Sequence, residues 1–226
     1  MNQIEKVREN LKAILGRGLC AGIGKREACM CIEASIAEAC GDNEFLPDEE
    51  PTDSPSIVAE DLRSFSIELN DARWSSNEAR AKGLEAWAMA QLFTNTSRFT
   101  ERAETWCAAT LLRIVRELVP IVLEAHGLDW NGEGYAHAEN LAIVGDAAAD
   151  LAWSVESAGR GQLYRWLLNL REACCECMNG ESIGRVVDGA ADLLWAADES
   201  NQDKIDRLLE HAARIATEEL QKVLAN

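Results

Sequence analysis

The sequence predicts an all-α protein of about eight helices, arranged either as a helical bundle or as a short stack of αα-hairpins. Apolar residues recur at the 3.6-residue spacing of helices along most of the chain, and no run has the convincing alternation of a strand. The C-terminal half also contains a repeat with a period of 42 residues. With 226 residues, of which 47% are hydrophobic, the chain can bury a core.

Three apolar stripes predict the N-terminal helices. The first stripe is formed by Ile4, Val7, Leu11 and Ile14, and Gly16 follows it as a C-cap. The second stripe is formed by Cys29, Ile32, Ile36 and Cys40. The third is formed by Val58, Leu62, Phe65 and Leu69, and it ends at Asn70-Asp71. Residues 41–55, which are rich in proline and acidic side chains, are expected to form a solvated loop.

Capping and breaking residues delimit the helices in the middle of the chain. Ser75 followed by Glu78 reads as a capping box for a helix that reaches about residue 94. Thr100 is expected to open the next helix, which carries Trp106 on its apolar face and ends at Gly127. Pro120 predicts a kink or a break inside that helix, because proline has no backbone N–H to donate.

The C-terminal repeat aligns without gaps. The segment "VGDAAADLAW" at 144–153 lies over "VVDGAADLLW" at 186–195, and the match continues into a partner helix after a short polar turn. Two helices per unit of about 40 residues are typical of stacked αα-hairpins. The repeat suggests a division into an N-terminal region, 1–98, and a C-terminal repeat region, 99–226, although one continuous domain remains open.

The charge of the chain limits its partners. There are 39 acidic residues against 22 Lys and Arg, so the net charge is -17 and direct binding to nucleic acid or to an anionic membrane is disfavoured. The N-terminal residues carry charges within their apolar pattern, unlike a signal peptide. We therefore expect a cytoplasmic protein whose eight cysteines are thiols rather than disulfides. We expect no cofactor, and homo-oligomerisation stays open.

The stretch "GRGLCAGIGKREACMCIEAS", residues 16–35, places four glycines ahead of a predicted helix. It is not a P-loop, because five residues separate Gly18 from Gly24 and Lys25 is followed by Arg26 rather than by a hydroxyl residue. It also misses the dinucleotide-binding spacing by one residue. A helix cap and a turn are the simplest interpretation, with a weak anion site at Lys25 and Arg26 as the alternative.

Two segments resemble a family of uncharacterised proteins found in phages and bacterial genomes. The matching residues of the first segment are Met30, Cys31, Glu33 and Ala34. Those of the second are Leu69, Asn70, Asp71, Trp74, Ser75, Ser76, Asn77, Ala79, Arg80, Ala81, Lys82 and Gly83. The resemblance covers about residues 18–92. It implies no particular activity, but it implies a phage or mobile-element origin.

The second segment contains a dense polar cluster at a turn between two helices. Its members are Asn70, Asp71, Trp74, Ser75, Asn77 and Arg80. In a structural interpretation Asp71 and Ser75 cap the helices, Arg80 pairs with an acid and Trp74 packs beneath the corner. In a functional interpretation the same side chains bind a ligand or a partner.

The cysteines allow a metal hypothesis. Four thiolates could come from Cys29, Cys31, Cys174 and Cys177. However, these residues fall within predicted helices and some of them continue apolar stripes, which favours core packing. Catalysis by Cys31 would need a base, and the three histidines, His126, His137 and His211, lie in other segments. We predict no catalytic residue.

Two classes of function are compatible with these observations. The leading hypothesis is a non-enzymatic, acidic, helical module that binds another protein. Given the phage-like resemblance, the expected partner is a host or defence protein. The alternative is a metal- or cysteine-dependent enzyme whose residues converge from separate helices.

Overall fold

A computed structural model describes residues 2–43, 51–128, 140–175 and 179–225. These residues form eleven α-helices and one short 3-10 turn, and no β-strand occurs among them, so the all-α prediction is confirmed. The helices are α1 (Gln3–Leu15), α2 (Ile32–Cys40), α3 (Glu60–Asp71), α4 (Asn77–Ala90), α5 (Ser97–Thr100), α6 (Ala103–Glu117), α7 (Val119–Ala125), α8 (Leu141–Ser157), α9 (Gly161–Cys175), α10 (Gly180–Ala197) and α11 (Gln202–Ala225). None of the helices in these ranges is both long enough and apolar enough to cross a membrane.

The eleven helices exceed the expected eight partly because the helix predicted from Thr100 to Gly127 is divided. A four-residue helix, α5, ends at Thr100, and α6 begins at Ala103. The break expected at Pro120 is present: α6 ends at Glu117, and Pro120 lies in the first turn of α7, where a missing N–H costs no helical hydrogen bond.

The N-cap of one helix and the start of another differ from the sequence prediction. The N-cap of α4 is Ser76, whose hydroxyl accepts the Ala79 N–H at 3.1 Å, whereas the sequence suggested Ser75. Ser75 is instead bound to α11, since its N–H and hydroxyl both donate to the Asp206 carboxylate. Helix α2 starts three residues after Cys29, since Cys31 is its N-cap.

One hydrophobic core extends through both halves of the chain. At its centre the rings of Trp87 on α4 and Trp106 on α6 stack with centroids 5.9 Å apart, and Phe65 on α3 meets both of them edge-on. The Trp106 indole donates to Ala216 O of α11 at 3.1 Å, which satisfies its buried N–H. In the described part of the chain this core therefore contains residues from both sides of position 98.

The two copies of the sequence repeat lie on α8–α9 and on α10–α11. Helix α8 packs mainly against α9, whereas α10 packs mainly on α3, and α11 mainly on α4 and α6. The equivalent tryptophans also differ: Trp153 is 68% exposed, and Trp195 is partly buried with the Arg73 guanidinium 4.8 Å from its ring centroid. A stack of equivalent hairpins therefore stays a prediction from the sequence.

Helices α3 and α10 approach each other closely at two glycines of α10. A Cβ at Gly180 would lie 1.7 Å from Asp61 O, and one at Gly184 would lie 2.5 Å from the Glu68 Cβ. Since only hydrogen atoms fit at these positions, the glycines allow the two backbones to meet.

We expect Gly180→Ala to destabilise the protein by about 1–3 kcal/mol, because α10 must move away from α3 to admit the methyl group. The control is Gly161→Ala at the start of α9, where the added Cβ meets no atom within 4 Å. The measurement is urea unfolding of both variants. Equal stability of the two would contradict the close α3–α10 contact.

Candidate functional site

The structure brings together two features that the sequence presented separately. The glycine loop, residues 16–31 between α1 and α2, packs on the α3–α4 corner, residues 70–80. The Leu19 N–H donates to Asn77 O at 3.0 Å, and the Gly22 N–H donates to the Asp71 carboxylate at 2.8 Å. Most of the polar side chains predicted as a cluster therefore serve one task, which is to hold this loop.

Asn70 is the central residue of the contact and is fully buried. Its Nδ2 donates to Cys20 O at 2.9 Å and to the Asp71 carboxylate at 2.8 Å, and its Oδ1 accepts the Ile32 N–H at 3.2 Å. Because Ile32 is the first residue of α2, one amide side chain fixes both the loop and the start of the next helix.

Arg80 supports the loop from α4 and is only 7% exposed. Its Nη1 donates to Leu19 O at 2.9 Å and to Asn77 Oδ1 at 3.0 Å. Burial lowers the pKa of Arg80, and the nearby Asp71 charge opposes that change. The expected pairing of Arg80 with an acid is therefore replaced by hydrogen bonds to a backbone carbonyl and an amide.

The other two predicted members of the cluster attach the corner to the rest of the protein. Trp74 is buried, donates from its indole to Leu69 O at 2.9 Å and packs against Gly83, in agreement with the structural interpretation. Ser75 binds Asp206 of α11, as described above. These two residues position the corner rather than face the loop.

The positions that could attract an anion are occupied by groups of the protein itself. The Gly22 N–H binds the Asp71 carboxylate, and the first N–H of α2 binds Asn70. Arg26 forms an ion pair with Glu38, with 2.8 Å between Nε and Oε2. Lys25 is exposed. The geometry gives the anion hypothesis no support.

Two thiols border the exposed part of the loop. The Cys20 thiol donates to Cys29 O at 3.2 Å, and Asn77 Nδ2 lies 3.6 Å from Cys29 Sγ. Cys31 is separate from them, because its Sγ accepts the Ala34 N–H at 3.3 Å as the N-cap of α2. Burial raises the pKa of Cys31 to about 12. Sequence analysis did not single out Cys20, because its pairing with Cys29 depends on how the loop folds.

The metal hypothesis also gains no support from the geometry. Within the described ranges no three His, Cys, Asp or Glu side chains are grouped so that they could hold a metal ion. Cys174 is buried on α9, where its Cβ lies near Gly145 of α8, and burial raises its pKa to about 12. The remaining proposed ligand, Cys177, lies outside the described residues.

Neither histidine in the described ranges is bonded to the glycine loop. His126 Nε2 is 3.1 Å from Leu193 O of α10, and His211 Nε2 is 2.6 Å from the Glu117 carboxylate. His137 falls outside these ranges. Within the described residues, neither histidine is therefore hydrogen-bonded to Cys20 or Cys29.

A buried carboxyl group lies in the core behind the loop. Glu33 on α2 has no exposed surface, and the polar side chains that interact with it include Ser66 of α3 and Gln91 at the C-cap of α4. Burial raises the pKa of Glu33 to about 8, although both neighbours oppose the shift. Glu33 points into the core while Cys31 caps the helix, so the two residues do not form one site.

The outer surface of the loop has a short apolar stretch flanked by charged residues, because Arg17, Lys25 and Glu27 are also exposed. Ala21, Gly22 and Gly24 are exposed, and Ile23 is 44% exposed beside the charge of Lys25. The loop therefore presents one large aliphatic side chain on a firmly attached backbone.

Comparisons of the chain with protein-family models, with curated proteins and with solved structures find no match. The resemblance to a phage and bacterial family accordingly stays an expectation from the sequence.

Proposed function

We propose that the protein is a non-enzymatic, acidic, helical interaction module that binds a partner protein through the outer surface of the glycine loop. The observation that carries this proposal is that buried polar groups support an exposed loop. Asn70 donates a hydrogen bond to Cys20 O, and Arg80 donates one to Leu19 O. Ile23, a few residues further along the chain, is exposed.

Two energetic effects favour binding through this loop. Burying an amide and a guanidinium is unfavourable unless their hydrogen bonds are made. In this fold the buried Asn70 and Arg80 side chains use hydrogen bonds to attach the loop. A loop held in one conformation loses less entropy on binding than a flexible one. Exposed aliphatic side chains on rigid backbones are suited to insertion into a partner's apolar pocket.

The charges suggest what the partner surface contains. An apolar pocket would receive Ile23, and an acidic group beside the pocket would pair with Lys25. At longer range the net charge of -17 favours partners with a basic surface. The phage-like resemblance supports a host or defence protein as the partner. A second copy of the chain is the alternative partner for this surface. Size-exclusion chromatography distinguishes self-association from binding to another protein.

The test compares two substitutions of exposed isoleucines. Ile23→Asp places a charge on the loop, and Ile143→Asp does the same on α8, where Ile143 is 49% exposed. Each tagged variant is used to capture proteins from cells that encode the chain, with quantitative mass spectrometry. We expect a partner whose recovery falls about tenfold or more for Ile23→Asp and is unchanged for Ile143→Asp, as loss of a central contact predicts. Identical recovery with both variants would exclude the loop as the binding surface.

The second candidate, a cysteine-dependent enzyme, is favoured by the two thiols beside Arg80 and Asn77. Alkylation of the native protein measures the reactivity of these thiols directly. An iodoacetamide rate at Cys29 well above that at Cys175, an exposed cysteine of α9, would favour an activated nucleophile. A rate at Cys29 below that of Cys175 would count against it.

A further inference from the structure

Cys20 and Cys29 stand at the two ends of the exposed part of the glycine loop. The Cys20 thiol lies 3.2 Å from Cys29 O, and the Cys20 N–H donates to Met30 O at 3.1 Å, so the two chain segments run side by side here. The Lys25 N–H donates to Cys29 O at 3.0 Å and closes the turn between them. We infer that these two cysteines are a redox site, which a hydroperoxide converts to a disulfide across the loop.

The Cys20 and Cys29 side chains interact directly. Burial and a direct interaction with the Cys29 side chain together raise the pKa of Cys20 to about 11. Gly24 contributes to this approach, because a Cβ there would lie 2.5 Å from Cys20 Sγ and 2.2 Å from Cys29 O. Its φ of +78° is also one that favours glycine. Cys20 therefore stands close enough to Cys29 to trap an oxidised sulfur there.

The surroundings of Cys29 favour its reaction as the attacking sulfur. Asn77 Nδ2 lies 3.6 Å from its sulfur, and Asn77 is the first residue of α4, at the positive end of the helix dipole. The Arg80 guanidinium interacts electrostatically with both cysteines. An amide donor, a helix N-terminus and a cation beside a partly exposed sulfur are typical of reactive cysteines. We therefore assign Cys29 as the attacking sulfur and Cys20 as the resolving one.

The chemistry is a two-electron oxidation in two steps. The Cys29 sulfur attacks one oxygen of the hydroperoxide and the O–O bond breaks, which leaves a sulfenic acid on Cys29 and releases water, or an alcohol from an organic hydroperoxide. The Cys20 sulfur then attacks the Cys29 sulfur, the S–O bond breaks, and a second water leaves with the proton of Cys20. Two thiols are oxidised to one disulfide while one peroxide is reduced.

The other cysteines in the described ranges provide internal comparisons. Cys31 is buried and used as a helix cap, and Cys174 is buried on α9. Cys175 is exposed but is not bordered by the loop, the α4 N-terminus and Arg80. The inference is independent of the proposed partner binding, since the covalent product forms in the purified chain without a partner.

The experiment treats the reduced, full-length protein with a small molar excess of hydrogen peroxide and then blocks the remaining thiols. Trypsin cuts after Lys25 and Arg26, so a disulfide between the two cysteines joins peptide 18–25 to peptide 27–63. Fragmentation of the linked peptides assigns the bond to Cys29 rather than to Cys31 or Cys40. A dimedone adduct on Cys29 is the expected product of Cys20→Ser, in which the sulfenic acid has no resolving thiol.

We expect the linked peptides to form faster than Cys175 is oxidised. We also expect their yield to fall about tenfold or more in Cys29→Ser, because the attacking sulfur is gone. Cys31→Ser is the matched control, and it should keep the yield because serine is a good N-cap. The inference is overturned if no linked peptides form in the wild-type protein, or if Cys175 is the first cysteine to be oxidised. The wild-type measurement alone decides this, whether or not a variant folds.

Discussion

The wild-type protein is expected to lose stability as the pH rises from about 5 to about 8, and Glu33→Gln is expected to remove most of this loss. Burial raises the pKa of Glu33 to about 8 in the folded state, against an ordinary value of 4.5. Between these values the folded protein holds a proton that the unfolded chain has released. Unfolding therefore releases a proton, and the free energy of unfolding falls as the pH rises.

The size of the effect follows from the width of that interval. Each pH unit costs up to about 1.4 kcal/mol, so the loss approaches roughly 4 kcal/mol near pH 8. Below about pH 4.5 both states hold the proton, and above about pH 8 neither does, so the dependence on Glu33 ends at both limits. Glutamine has nearly the same shape as the protonated side chain but does not titrate.

The measurement is urea unfolding of the wild type and Glu33→Gln at several pH values from 5 to 8.5, with Glu156→Gln, an exposed position of α8, as control. The stability of the wild type relative to Glu33→Gln should decline with pH, while the control follows the wild type. Burial also raises the pKa of Asp188, to about 6, and this contribution cancels in the comparison. Parallel curves for the wild type and Glu33→Gln would show that Glu33 is ionised in the folded protein.

Removal of the Asn70 side chain is the second large effect that we expect. Asn70→Ala should destabilise the protein by about 2–4 kcal/mol, because it leaves Cys20 O and the Ile32 N–H without a partner in the interior. The loop should also open more often. Hydrogen exchange at the Leu19, Gly22 and Ile32 amides should become faster, since all three amides are bonded to the α3–α4 corner.

Asn95→Ala is the matched control for this substitution. Asn95 is exposed and its side chain donates one hydrogen bond, to Ser56 O at 2.8 Å, so loss of that side chain should cost no more than about 1 kcal/mol. Thermal unfolding and amide exchange of both variants check the prediction. If Asn70→Ala were no more harmful than Asn95→Ala, the corner would not be holding the loop.

The helices were largely predictable because their signals are local. Apolar residues at a period of 3.6 mark a buried face, and proline and glycine interrupt it wherever they occur. The break at Pro120 and the cap at Gly16 are two examples that the structure contains. The N-cap of α4 was predicted one residue too early, at Ser75, which instead donates to Asp206, 131 positions away in the sequence.

The candidate site was predictable only in its parts. The sequence singled out the glycine stretch and the polar cluster, but nothing in either pattern shows that Asn70 binds Cys20 O across 50 residues. Unlike helix caps, side chains that bind the backbone of a distant segment have no fixed spacing in the sequence. Glu33 illustrates the same limit, since an acidic residue next to an apolar stripe is normally expected at the surface and here is fully buried.

The sequence by itself therefore determined the all-α class, most helix positions and a strongly acidic composition, since each of these depends on neighbouring residues or on totals. Only the tertiary structure decided that the loop rests on the α3–α4 corner, that Cys20 lies against Cys29 and that Glu33 is enclosed. These features depend on which helix faces pack together. That choice is made by the combined burial and hydrogen bonding of distant segments, which no local pattern records.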